Sequence, residues 1–160
     1  MKNIVDDNFL QNKWKYIWQC VIVTFFVGII LVVFDFVVKL AIVTSLGATC
    51  FIVFTIPHRN SSKTVFILGG YTVGAVVGSI CAIITSFTPG IPLSLWGAVA
   101  IGLSMFLMVV FNFEHPPAAA LSLGIVFGGF NIGTIISVYS IAIMFLVVRK
   151  LLGKWLIDLI

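Results

Sequence analysis

The chain has 160 residues, 61% of them hydrophobic and 9% charged, with a formal net charge of +4 and a mean hydropathy of +1.25. A soluble domain of this length cannot hide so much apolar surface, so lipid has to be the solvent for most of it. The basic excess sits at the ends of apolar runs and not on one surface, which argues against a nucleic-acid partner and makes the charges a record of topology.

Residues 1–15 read as a polar N-terminal interfacial segment. Asp6 and Asp7, and the lack of a small-residue cleavage site after the first apolar run, argue that this run stays as a membrane span. Trp14, Tyr16 and Trp18 beside Lys13 and Lys15 form an interfacial anchor. Six apolar segments follow at 16–34, 37–57, 64–87, 93–112, 116–130 and 134–152. Several approach the roughly 20 residues that cross a hydrocarbon core of about 30 Å. Together they predict one transmembrane domain over 16–152, an all-α polytopic membrane helical bundle. Residues 153–160, with Lys154 and Trp155, read as a C-terminal interfacial tail.

Charge orients this bundle. If all six segments span, Lys2, Lys13, Lys15, Arg59, Lys63, Arg149, Lys150 and Lys154 share one side, while the loops around 88–92 and 129–133 are uncharged. The positive-inside rule then puts both termini in the cytoplasm, and the expected location is the plasma (inner) membrane of a prokaryote. Lys39 falls on the outer side, where Asp35 one turn earlier can pair with it. A four-span variant with re-entrant second and fifth segments would place Lys39, Arg59 and Lys63 outside, so charge favours six.

The fifth segment is short. From Pro116 to Phe130 it covers only about 22 Å at about 1.5 Å per residue, so it is expected to start within the membrane or in a local recess. Its Pro116-Pro117-Ala118-Ala119-Ala120-Leu121-Ser122, ending in Ile125-Val126-Phe127, parallels Thr44-Ser45-Leu46-Gly47-Ala48-Thr49 and Ile52-Val53-Phe54 of the second segment. One reading is two inverted three-segment repeats whose middle members are short or half-helices. Chance recurrence of small residues is an equal alternative. Gly70, Gly74 and Gly78 mark one face of the third segment, and Gly124 with Gly128 repeats the spacing in the fifth. Such faces allow close helix packing within one subunit; a homo-oligomer contact is the second reading.

Cys20, Cys50 and Cys81 lie in three different segments and read as free thiols. His58 and His115 lack the companions of a metal site, and no nucleophile–base pair or phosphate loop is legible, so neither an enzyme nor a cofactor is expected. Chemistry concentrates instead at Asn112-Phe113-Glu114-His115-Pro116-Pro117, a break between two apolar runs. Two prolines suit the first turn of a helix, where the missing N–H groups would be orphans anyway. That places His115 at the mouth of the fifth segment, with an imidazole that can titrate near neutral pH but whose protonated form a helix N-terminus behind it would disfavour. Glu114 reads more simply as a wetted cap, and Asn112 as the closure before the prolines. Ser45, Thr49 and Gly47 supply hydroxyls and an open backbone at what reads as the start of the second segment. Two helix starts converging there would offer an anion site.

These residues resemble the HPP family of small integral membrane proteins. His115-Pro116-Pro117-Ala118-Ala119-Ala120 is similar to the family's His-Pro-Pro-Ala-Gly-Ala. Leu46-Gly47-Ala48 through Phe54 and Pro57, then Leu68-Gly69-Gly70, is similar to its Leu-Gly-Ala … Phe … Pro … Ile-Gly-Gly pattern. Ala119 replaces the usual Gly, the loop from His58 to Thr64 departs from the family's, and Tyr71 stands where a His often follows the glycine pair. The resemblance implies a membrane protein, with some members associated with nitrite transport. The expectation is therefore a permease or channel for a small inorganic anion, nitrite first. His115, Pro116 and Pro117 would face Ser45, Gly47 and Thr49 in the lipid bilayer. The rival is a non-transporting scaffold or partner subunit with a structural His-Pro-Pro kink.

Overall fold

The computed structural model describes residues 7–34 and 40–159. Six helices follow one another: α1 (Asp7–Phe34), α2 (Leu40–Thr55), α3 (Thr64–Thr85), α4 (Leu93–Val110), α5 (Pro116–Gly128) and α6 (Ile132–Leu152), with a short 3-10 turn at Asn60–Ser62. No strand occurs among the described residues. The proposed Asp35–Lys39 pair lies outside them. α1 begins inside the stretch read as a polar interfacial segment, and its main chain leaves helical geometry at Asn12 (φ −123°, ψ 28°) before the apolar length starts.

Among the described residues, α3, α4 and α6 are long and apolar enough to cross a membrane, and α5 is a shorter apolar helix. Their outer faces carry exposed stripes, such as Val99, Leu103, Phe106 and Val110 along α4 and Ile136, Ile143 and Val147 along α6. These helical spacings leave large apolar side chains where acyl chains belong. The core lies between α2, α3, α5 and α6, with Phe54, Ile67, Tyr71, Leu121, Ile125 and Ile141 among its buried side chains.

α3 and α5 run parallel in the closest helix pairing of the bundle. A Cβ on Gly70 would lie 2.5 Å from the His115 Cβ, one on Gly74 would strike the Ala118 carbonyl, and one on Gly78 would lie 2.8 Å from the Ser122 main chain. All three glycines are buried against α5. They therefore serve packing within the subunit, which removes this face as a contact between subunits. Gly124 is buried in α5 and Gly128 is half-buried.

The approach to α5 is built by main-chain closure. Asn112 adopts the left-handed conformation (φ 57°), while Phe113 N donates to Met108 O (2.8 Å) and Asn112 N to Val109 O (3.2 Å). This is a Schellman ending of α4, a role open to Asn because its short polar side chain tolerates that conformation. Pro116 and Pro117 then start α5 behind His115 as the N-cap residue.

The parallel register sets the depth of this start. His115 lies level with Gly70, six residues after Thr64, which is about 9 Å along α3. α5 therefore starts about 9 Å further along the bundle than α3 does. At this same end the two described chain ends meet: Tyr16 Oη donates to Leu159 O (2.9 Å), Gln19 Nε2 donates to Phe54 O, and Leu159 N donates to Thr55 O (2.7 Å).

α2 corrects one expectation. Its first residue is Leu40, so Thr44 to Gly47 lie within the helix and not at its start. Ser45 pairs with Pro117 and Thr49 with His115, so α2 runs antiparallel to α5 and overlaps it side by side. The two helix starts do not converge on a common point.

Candidate functional site

Four buried polar side chains from three helices meet at the mouth of α5. Thr49 Oγ1 lies 2.9 Å from His115 Nε2, 2.6 Å from Tyr71 Oη and 3.2 Å from Ser45 O. Ser45 Oγ donates to Pro117 O at 2.5 Å, and Tyr71 Oη is 3.5 Å from Ser45 O. The Tyr71 and His115 rings meet edge to face with centroids 5.2 Å apart. Ser45, Thr49 and His115 are each 0% exposed, as is Tyr71, so the histidine faces the protein interior and not lipid.

The hydroxyl of Thr49 decides the imidazole's state. If it donates to Ser45 O, it accepts from both Tyr71 and His115 Nε2–H, and Nδ1 is then a bare acceptor. If it donates to Nε2, the proton sits on Nδ1, which becomes a donor. Among the described residues Nδ1 has no hydrogen-bond partner at good geometry, although the Ser61 main chain faces the ring. The second tautomer, or a protonated ring, is the one that can hold an anion.

The helix start itself contributes less than expected. Pro116 and Pro117 have no N–H, and Ala118 N donates to His115 O at 2.8 Å. The first turn of α5 therefore presents no row of free N–H groups, and its dipole is what remains. Glu114, Asn112 and Pro116 are exposed, outside the cluster. Gly47 is also exposed, with nothing within 4 Å of the place a Cβ would occupy. Ser122 bonds back to Ala119 O (2.8 Å). Of the expected set, the structure thus brings together His115, Pro117, Ser45 and Thr49.

Tyr71 joins them, and Arg149 holds the neighbouring loop. Tyr71 supplies the third hydroxyl, at a position that stood out only as a departure from the family pattern. Arg149, expected only as an orienting charge, donates from Nη1 to Ser62 O (2.6 Å) and from Nη2 to Pro57 O, clamping the 57–63 loop. His58 N donates to Asp158 Oδ1 (3.0 Å), tying that loop to the C-terminal tail. Among the described residues no group of three potential metal ligands occurs.

Helices of spanning length, lipid-type outer faces and a polar cluster recessed below one end define an integral membrane protein of the all-α class. Its family is defined by residues 10–156, which match the model of the HPP transmembrane region; the chain belongs to that family. No curated protein and no solved structure matches it.

Proposed function

We propose that the chain is a non-enzymatic permease or channel for a small inorganic anion, with nitrite as the first candidate. The observation that carries this reading is the fully buried Ser45–Thr49–Tyr71–His115 cluster, set about 9 Å into the bundle. Ionisable side chains inside a membrane protein are costly and mark ion or proton paths. His115 binds the anion through Nδ1 and exchanges a proton with it. The three hydroxyls tune that nitrogen, and the α5 dipole adds favourable potential. The cluster is sealed, so passage includes movement of the 57–63 loop away from the ring. Both termini lie in the cytoplasm of a prokaryotic cell, with the basic residues of α6 and the loops facing inward. The six helices form two inverted three-helix units, and the working form is a homo-oligomer whose contacts lie on faces other than the α3 glycines.

Nitrite uptake into proteoliposomes tests this. His115→Ala is expected to lower flux by about an order of magnitude in protein that still elutes as folded. Unchanged flux would exclude the His115 role. Absence of flux for nitrite, nitrate, formate and chloride alike would exclude transport. That result would leave the scaffold reading, which the closed glycine packing of α3 on α5 favours.

A further inference from the structure

α3 and α6 touch sparingly, and a groove of about 480 Å³ opens between their ends on the side where the chain ends meet. Leu68 of α3 and Ile143, Leu146 and Val147 of α6 form its apolar wall, and Arg149 and Lys150 stand at its end. Ile143, Val147 and Lys150 share one face of α6, at positions i, i+4 and i+7. An apolar stripe of about 10 Å therefore terminates in an ammonium group. Ile143 and Val147 are each half exposed, and Lys150 is exposed.

We infer that this groove binds one anionic phospholipid, its phosphate at Arg149 and Lys150 and the start of an acyl chain along Ile143 and Val147. Charge complementarity selects this occupant. The guanidinium has five donors, and the Pro57 and Ser62 carbonyls engage two of its nitrogens, which leaves donors for a phosphate. Lys150 adds a second positive charge beside Arg149 at the end of the groove. A free inorganic anion would make no use of the apolar wall. A neutral phospholipid would fill the wall but gain nothing from Lys150. An anionic headgroup on an acyl chain satisfies both, as basic pockets between membrane helices generally do. Because Arg149 also clamps the 57–63 loop, the bound lipid stabilises that clamp.

Native mass spectrometry of the full chain, released from nanodiscs of phosphatidylcholine with or without phosphatidylglycerol, tests the site. Wild type is expected to retain one phosphatidylglycerol in preference to phosphatidylcholine. Lys150→Ala is expected to lower that retention about fivefold. Val147→Trp, which fills the wall, is expected to lower it as well, while Lys63→Ala leaves it unchanged. Equal retention of the two lipids would overturn the proposal. So would a loss in Lys63→Ala matching that in Lys150→Ala, since it would mean a diffuse basic surface. Displacement of the lipid by millimolar inorganic phosphate, or indifference to Val147→Trp, would identify a headgroup-only anion site and overturn it too.

Discussion

Thr49 has one hydroxyl hydrogen and three polar neighbours, and this makes it the pivot of the buried cluster. Replacing it by Val keeps the volume but strands His115 Nε2 and leaves Tyr71 Oη only its 3.5 Å approach to Ser45 O. An interhelical hydrogen bond in a membrane protein is worth about 0.6 kcal/mol on average. A buried polar group left without a partner costs more, about 1–3 kcal/mol. The second effect dominates here because the stranded imidazole nitrogen is fully buried and cannot reach water. Thr49→Val is therefore expected to lower the melting temperature in detergent by several degrees. Tyr71→Phe removes a donor but leaves Thr49 with His115 and the Ser45 carbonyl, so its loss should be smaller. A melting series that reverses this order would show that Tyr71, and not Thr49, organises the cluster.

At the scale of elements, the α3–α5 contact is set by backbone approach. An added methyl on Gly74 meets the Ala118 carbonyl, which cannot rotate away as a side chain can. Gly74→Ala is expected to force the helices apart and cost about 1–3 kcal/mol as overpacking. Gly102→Ala on α4 meets nothing within 4 Å and gains helix propensity, about 1 kcal/mol at most. Opposite shifts in melting temperature for the two variants would check this. The glycine face was legible in the sequence because small residues four apart have few other uses in lipid. The α5 start was legible because two prolines have few other places in a helix. The α2 start was misread for a physical reason: Ser and Thr cap helices in water, but inside a membrane helix they bond back to their own carbonyls, as Thr49 does to Ser45. Tyr71 was missed because its role depends on the register between α2 and α3, and a tyrosine in an apolar run carries no sign of a partner on the neighbouring helix. Arg149 read as a topological charge, since its acceptors are main-chain carbonyls that any sequence would supply.

Across the whole molecule, the short helix and the recess account for one another. α5 has 13 residues, about 20 Å, and its start lies about 9 Å in, which together approach the hydrocarbon thickness of about 30 Å. The 16 residues of α2 span about 24 Å, antiparallel to α5, and end beside the loop that leads into α3. This length supports the proposed six-span topology; in the four-span alternative α2 is a re-entrant segment that returns to the side it left. The two topologies place the loops on opposite sides. With six spans, Lys63 and Lys154 are cytoplasmic and Gly90 is external; with four, Lys63 is external and Gly90 is cytoplasmic. Single cysteines at these exposed positions distinguish them in a Cys20→Ser background, because the remaining Cys50 and Cys81 are buried. A membrane-impermeant maleimide on intact cells is expected to label Gly90→Cys, and to label Lys63→Cys and Lys154→Cys only after permeabilisation. Labelling of Lys63→Cys in intact cells with protection of Gly90→Cys would establish four spans, and would turn the α2–α5 pair into two re-entrant helices entering from outside.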